Sequence, residues 1–237
     1  MAKKRDPLLA PPSQGGDNYR IRSKIGRIMS LVKTLPYFNF AHLTGIEKNR
    51  TYLKILLSRY EKAGKVVRIK KGFYVTREYL DVLEKHGRLS AYLEFIARIL
   101  YEPSYLSLEY VLAEHNLLTE MPRNFTLVSK NKTTRIVNAL GNFFYHKITS
   151  RLFTGYTIIK YDNLDIFKAT KAKALFDYLY LRKNFLPDAS AMEALRLNMG
   201  SFKIKDQQEL KKYIEREGSE KMKQMYQWLT GIWKRQN

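Results

Sequence analysis

The sequence predicts an α+β protein: an N-terminal winged helix-turn-helix, then a domain of mixed antiparallel sheet and helices. Three observations predict it. Within residues 20–88 the apolar spacing is helical three times and then gives way to a short hairpin pattern. Beyond residue 100, strand-like runs bunch between helical ones without regular alternation, which argues for α+β rather than a parallel α/β sheet. Finally, residues 20–77 hold 15 lysines and arginines against two acids, Glu47 and Glu61, so +13 of the chain's net +21 sits in about a quarter of its length.

The expected organisation is a basic arm over residues 1–19, the winged domain over 20–88 and the α+β domain over 89–237. The arm carries Lys3, Lys4 and Arg5, three prolines and Gly15-Gly16, with little apolar periodicity. Ser23 is placed to cap a first helix whose Ile25, Ile28, Met29, Val32 and Leu35 follow helical spacing up to Pro36. A short Phe38-Asn39-Phe40 stretch leads into a brief helix that ends at Gly45. From Asn49 to Ala63, Leu53, Leu56, Leu57 and Tyr60 share one face, Arg50, Thr51, Lys54 and Ser58 share the opposite one, and Gly64 is the stop. Val66 to Ile69, a Lys70-Lys71-Gly72 turn and Phe73 to Thr76 read as a hairpin.

Past a connecting helix over 79–86, Gly87 and Ser90 mark the boundary. A helix over 91–100 stops before Pro103, and Ser107 is the expected cap of the next, through Leu108, Val111 and Leu112. Strands are expected at 125–128, 135–137, 143–148 and 156–161, forming an antiparallel sheet, and helices at 171–183, 190–197 and 207–233 with an interruption near Gly218-Ser219.

The totals exclude several classes. With no cysteine there is no disulfide framework, thiolate nucleophile or Cys-ligated zinc. No segment offers the roughly 18 to 20 uninterrupted apolar residues of a membrane span, and the N-terminus has no apolar signal region, so a cytoplasmic protein without membrane association is expected. His42, His86, His115 and His146 stand in no metal-ligand spacing, and Asp162-x-x-Asp165 falls in a turn where acids ordinarily serve as local acceptors. Gly200-Ser201 lacks the acid pair that would make it a nucleotidyltransferase motif, and no P-loop, G-x-S-x-G or G-x-G-x-x-G is present. Neither a catalytic site nor a cofactor is expected.

A charge excess of this size is usually kept where a polyanion neutralises it, which makes nucleic acid the leading partner. The candidate contacts are Lys48, Asn49, Arg50, Thr51, Lys54 and Ser58 on the third helix, with Arg68, Lys70 and Lys71 on the hairpin. Arg can fork onto guanine, Asn onto adenine if it is not spent as the N-cap, and the wing tip suits phosphate or minor-groove contact. A merely solvated basic face, an RNA-binding protein, a protein-interaction module and a nucleic-acid-modifying enzyme with an unrecognised site remain the alternatives.

Several fragments, in order, resemble the AbiEi-type antitoxins of bacterial type IV toxin-antitoxin (abortive infection) systems. They are Gly64-Lys65-Val66-Val67-Arg68-Ile69-Lys70-Lys71-Gly72-Phe73-Tyr74; the stretch from Pro103 to Leu112 with His115-Asn116-Leu117; Phe143 to Ile148; and Ala169 to Asp177. The resemblance spans roughly residues 23 to 200, although Lys171-Ala172 stands where the family often has Pro-Glu. It implies a transcriptional repressor whose winged helix binds inverted repeats in its own operon's promoter, and whose second domain counteracts a nucleotidyltransferase toxin. Direct toxin contact and oligomeric state stay open, a monomer on each repeat being one option.

Overall fold

The computed structural model describes residues 23–120 and 122–236, and it is a mixed α and β structure. The expected arm over 1–19 lies outside the described residues. Two compact units meet at Val82 and Leu83, inside a helix over Arg77–Lys85.

The first unit runs α1 (Lys24–Val32), β1 (Phe38–Asn39), α2 (Phe40–Leu43), α3 (Arg50–Lys62), β2 (Val66–Lys70), β3 (Phe73–Thr76) and the start of α4 (Arg77–Lys85). Ser23 caps α1 as its type suggests, its hydroxyl accepting from the Gly26 N–H at 3.0 Å. Gly64, at φ +68°, ends α3. The hairpin pairs Val66 with Thr76 and Val67 with Val75, and a bulge between Arg68 and Lys70 precedes its turn. Phe38–Asn39 adds a third antiparallel strand to it, in the order β1-β3-β2. Ile28, Val32, Phe38, Leu43, Leu53, Leu56, Leu57, Val66 and Tyr74 form one buried cluster, so every helix and strand of this unit up to β3 contributes to a common core.

In the second unit, α5 (Leu89–Leu100), β4 (Ser104–Leu106) and α6 (Leu108–Glu114) precede β5 (Phe125–Ser129), β6 (Thr134–Asn138), β7 (Gly141–Lys147), β8 (Tyr156–Tyr161) and β9 (Leu164–Ala169). Then follow α7 (Lys171–Arg182), α8 (Ala189–Glu193), α9 (Ile204–Glu217) and α10 (Glu220–Gln236). The six strands are ordered β6-β7-β5-β4-β9-β8. The expected antiparallel sheet is therefore corrected to a mixed one, because β5 pairs with β7 in parallel and β4 meets β9 in parallel at Leu106 and Lys168.

Two further expectations are corrected. Ser107 occupies the N-cap position of α6 but makes no capping bond; its hydroxyl instead donates to Asp177 Oδ2 at 2.8 Å. The helix expected over 190–197 is only the short α8, after which Arg196 takes a left-handed φ of +49°. Helix α7 is buried along Ala172–Leu179, including both charged residues of its i, i+4 pair, Lys173 and Asp177. The Lys173 ammonium lies 2.5 Å from Asp177 Oδ1, and the Tyr105 hydroxyl donates to Oδ2 at 3.0 Å. Burial pushes the Asp177 carboxyl up and the Lys173 ammonium down, each against the pull of the other's charge.

Among the described residues, no helix is long and apolar enough to cross a membrane.

Candidate nucleic-acid interface

Helix α3 is anchored by a relay that starts 23 residues before its cap-side acid. Lys24 donates to Glu47 Oε2 at 2.7 Å, Glu47 Oε1 accepts the Asn49 N–H at 2.8 Å, and Asn49 Oδ1 accepts the Tyr52 N–H at 3.0 Å. The hydrogen bond from Lys24, helped by that from Asn49, holds the Glu47 carboxyl below the usual carboxylate range. Lys24 also sits 5.8 Å from the Tyr52 ring centroid. The start of α3 is thus fixed to the start of α1 by side-chain bonds as well as by the core.

Asn49 is therefore the N-cap. A bidentate contact to adenine needs the carboxamide oxygen and nitrogen together, and here the oxygen is already committed to Tyr52. Replacing Asn49 by Ala is expected to cost about 1 kcal/mol of stability through the lost cap. Urea unfolding measures it, and an unchanged midpoint would remove the cap from the account.

Lys48, Arg50, Thr51, Lys54 and Ser58 are all exposed, while Leu53, Leu56 and Leu57 are buried against the unit's core. On the hairpin, Arg68 and Lys71 are exposed, and Lys70 leans over the Phe73 ring at 4.3 Å. Gly72, at φ +81°, makes the tight turn that carries Lys71 at its tip. Among the described residues, Lys48, Arg50, Lys54, Arg68 and Lys71 form no ion pair with an acid. Five cations on one small unit are left without internal counter-charges, an arrangement that attracts a polyanion. Arg50 and Lys54 lie on α3, Lys48 lies just before its cap, and Arg68 and Lys71 lie on the β2–β3 hairpin.

Sequence reading missed Lys24 and Glu47 as parts of this site, since nothing local announces a pair so far apart in the chain. Arg59 and Lys62, also exposed on α3, were visible in its periodicity.

Elsewhere many polar groups pair with one another, although the buried Ser104 Oγ and Gln207 Nε2 make no hydrogen bond. Lys168 lies 2.8 Å from Glu94 and 2.9 Å from Glu114, and Tyr110 donates to Glu94 at 2.8 Å. Asp162 pairs with Arg88 at 2.8 Å, and the Ser201 hydroxyl donates to the His115 carbonyl at 3.0 Å. Burial lowers the pKa of His115 and of His146, keeping both toward the neutral form. His42 Nδ1 accepts the Asn39 N–H at 3.0 Å in a capping box at the start of α2. Among the described residues, no group of three His, Asp or Glu side chains could hold a metal ion. A cleft of about 610 Å³ lined by Glu109, Thr119, Glu120, Arg123, Tyr178 and Arg196, among others, carries both signs of charge.

No family model matches the chain, and no curated protein matches it either.

Proposed function

We propose that this chain is a sequence-specific, double-stranded-DNA-binding repressor whose first unit is a winged helix-turn-helix, with α3 as the reading helix and the β2–β3 hairpin as the wing. The observation that carries the reading is the set of five unpaired cations on α3, just before it and on the wing, presented by a unit with its own apolar core. Helix, short helix, turn, helix and hairpin is the order of a winged helix, and the start of α3 is held rigid by the Lys24, Glu47 and Asn49 relay. The stronger form of the proposal adds a non-enzymatic antitoxin role: binding to inverted repeats of its own promoter, with the second unit counteracting a nucleotidyltransferase toxin. That form rests on the fragments shared with the AbiEi-type antitoxins.

Replacing Lys70 and Lys71 by Ala tests the wing. If they neutralise phosphates, affinity falls on every duplex alike, and the slope of log K against log salt flattens by about one to two units. Binding titrated over a salt series, on specific and random duplex, reads both effects. An unchanged slope would remove the wing from the interface, and binding confined to single-stranded RNA would favour the RNA-binding alternative.

A further inference from the structure

An α-helix turns about 100° per residue, and Leu53, Leu56 and Leu57 fix which side of α3 faces the core. The ridge opposite them is Thr51, Ile55, Ser58 and Lys62. Ile55 stands on that ridge with half of its surface, 50%, exposed, between two short side chains at i−4 and i+3. Lys54 and Arg59 flank the ridge, roughly 70° to either side of its centre line. Tyr52, the other exposed apolar residue of this helix, points elsewhere, toward Lys24.

A single exposed isoleucine needs no explanation on an ordinary surface. Here it crowns the outermost line of the helix, whose other members, Thr51, Ser58 and Lys62, are small or basic, and the cross-section has a defined complement. Short side chains let the ridge approach the floor of a groove about as wide as a helix, and cations on both flanks meet the phosphate walls. On the floor of the B-DNA major groove, the apolar feature is the C5-methyl of thymine. Uracil lacks it, and the A-form major groove of RNA is too deep and narrow for side chains to read.

We infer that Ile55 is a specificity residue that contacts the C5-methyl of a thymine, with Thr51 and Ser58 beside it over the bases and Lys54 and Arg59 on the backbone. The inference rests on the DNA-binding reading above and narrows it: the ligand is B-form duplex DNA with a thymine at a fixed position, and Arg50 and Lys54 serve as flank contacts. Ile55, not the arginine, then carries the preference at that position.

The test takes the full chain and a duplex selected by it from a randomised pool, then replaces each thymine in turn by deoxyuridine, which deletes only the methyl. The expected result is a loss of about three- to tenfold in affinity at one or two positions per site, absent in Ile55→Ala and partly kept in Ile55→Val. Because Ile55 is half exposed and outside the core, both variants should fold, which circular dichroism checks. Selected duplexes that bind tightly but ignore every deoxyuridine substitution, or an Ile55→Ala protein with undiminished discrimination, would overturn the inference and leave DNA binding standing. A pool that yields no duplex at all would overturn the DNA-binding reading, and the inference with it.

Discussion

Replacing Asp177 by Ala is expected to destabilise the second unit by about 3 to 5 kcal/mol. The carboxylate is fully buried and accepts from Lys173, Tyr105 and Ser107, whose acceptor would disappear while they stay in place. The largest part of the cost is the Lys173 ammonium, itself without exposed surface and left among the rings of Tyr105, Phe176 and Tyr213 with no counter-charge. Removing a charge partner is far costlier than removing the whole network. A quadruple variant, Lys173→Met, Asp177→Leu, Tyr105→Phe and Ser107→Ala, should recover most of the loss. Denaturant unfolding of both proteins decides the matter, and a single-variant cost below about 1 kcal/mol would contradict the assignment.

Gly155→Ala should cost about 2 to 4 kcal/mol, from two independent sources. Gly155 sits at φ +77°, where an L side chain is strained, and a Cβ there would overlap the Tyr213 hydroxyl and come within 2.6 Å of its Cζ. Tyr213 cannot simply swing aside. Its hydroxyl donates to Glu209 at 2.8 Å, the Thr170 hydroxyl donates to the same Glu209 oxygen at 2.6 Å, and its ring packs on Phe176 at 5.6 Å. The Gly155 carbonyl meanwhile accepts the Thr170 N–H at 3.1 Å, which ties this turn to the start of α7. Tyr213→Leu should relieve the steric part, so the double variant should lose less than the sum of the singles. Full additivity, measured by thermal unfolding, would mean that the close approach has no energetic weight.

Legibility in the sequence followed the range of the interactions involved. Helices α1, α3 and α7 carry their own caps and periodicity, so Ser23, Asn49 and Thr170 mark their starts within the local chain. The β2–β3 hairpin was readable because alternation and a Lys-Lys-Gly turn are local signals. Strands β1, β4 and β9 were not. Phe38–Asn39 and Ser104–Leu106 are too short to show a period, and they are strands only because distant partners hydrogen-bond to them. The parallel β5 and β7 pairing is likewise fixed by tertiary packing, since adjacency in sequence favoured hairpins. The same limit applies to the candidate site. The exposed face of α3 could be read residue by residue, whereas the Lys24 and Glu47 pair that steadies it spans 23 residues, and Ser107 looked like a cap because its true partner is 70 residues away.

Footprinting of the purified protein on the DNA upstream of its own coding sequence, repeated with Arg50→Ala and Lys54→Ala together, decides whether α3 reads duplex DNA. Protection of a discrete duplex site is expected, arranged as an inverted repeat if the antitoxin reading holds, with that protection lost in the double variant at a salt concentration where the unchanged protein binds. No protection at any salt, or protection that survives the loss of both side chains, would contradict the assignment of α3 as the reading helix.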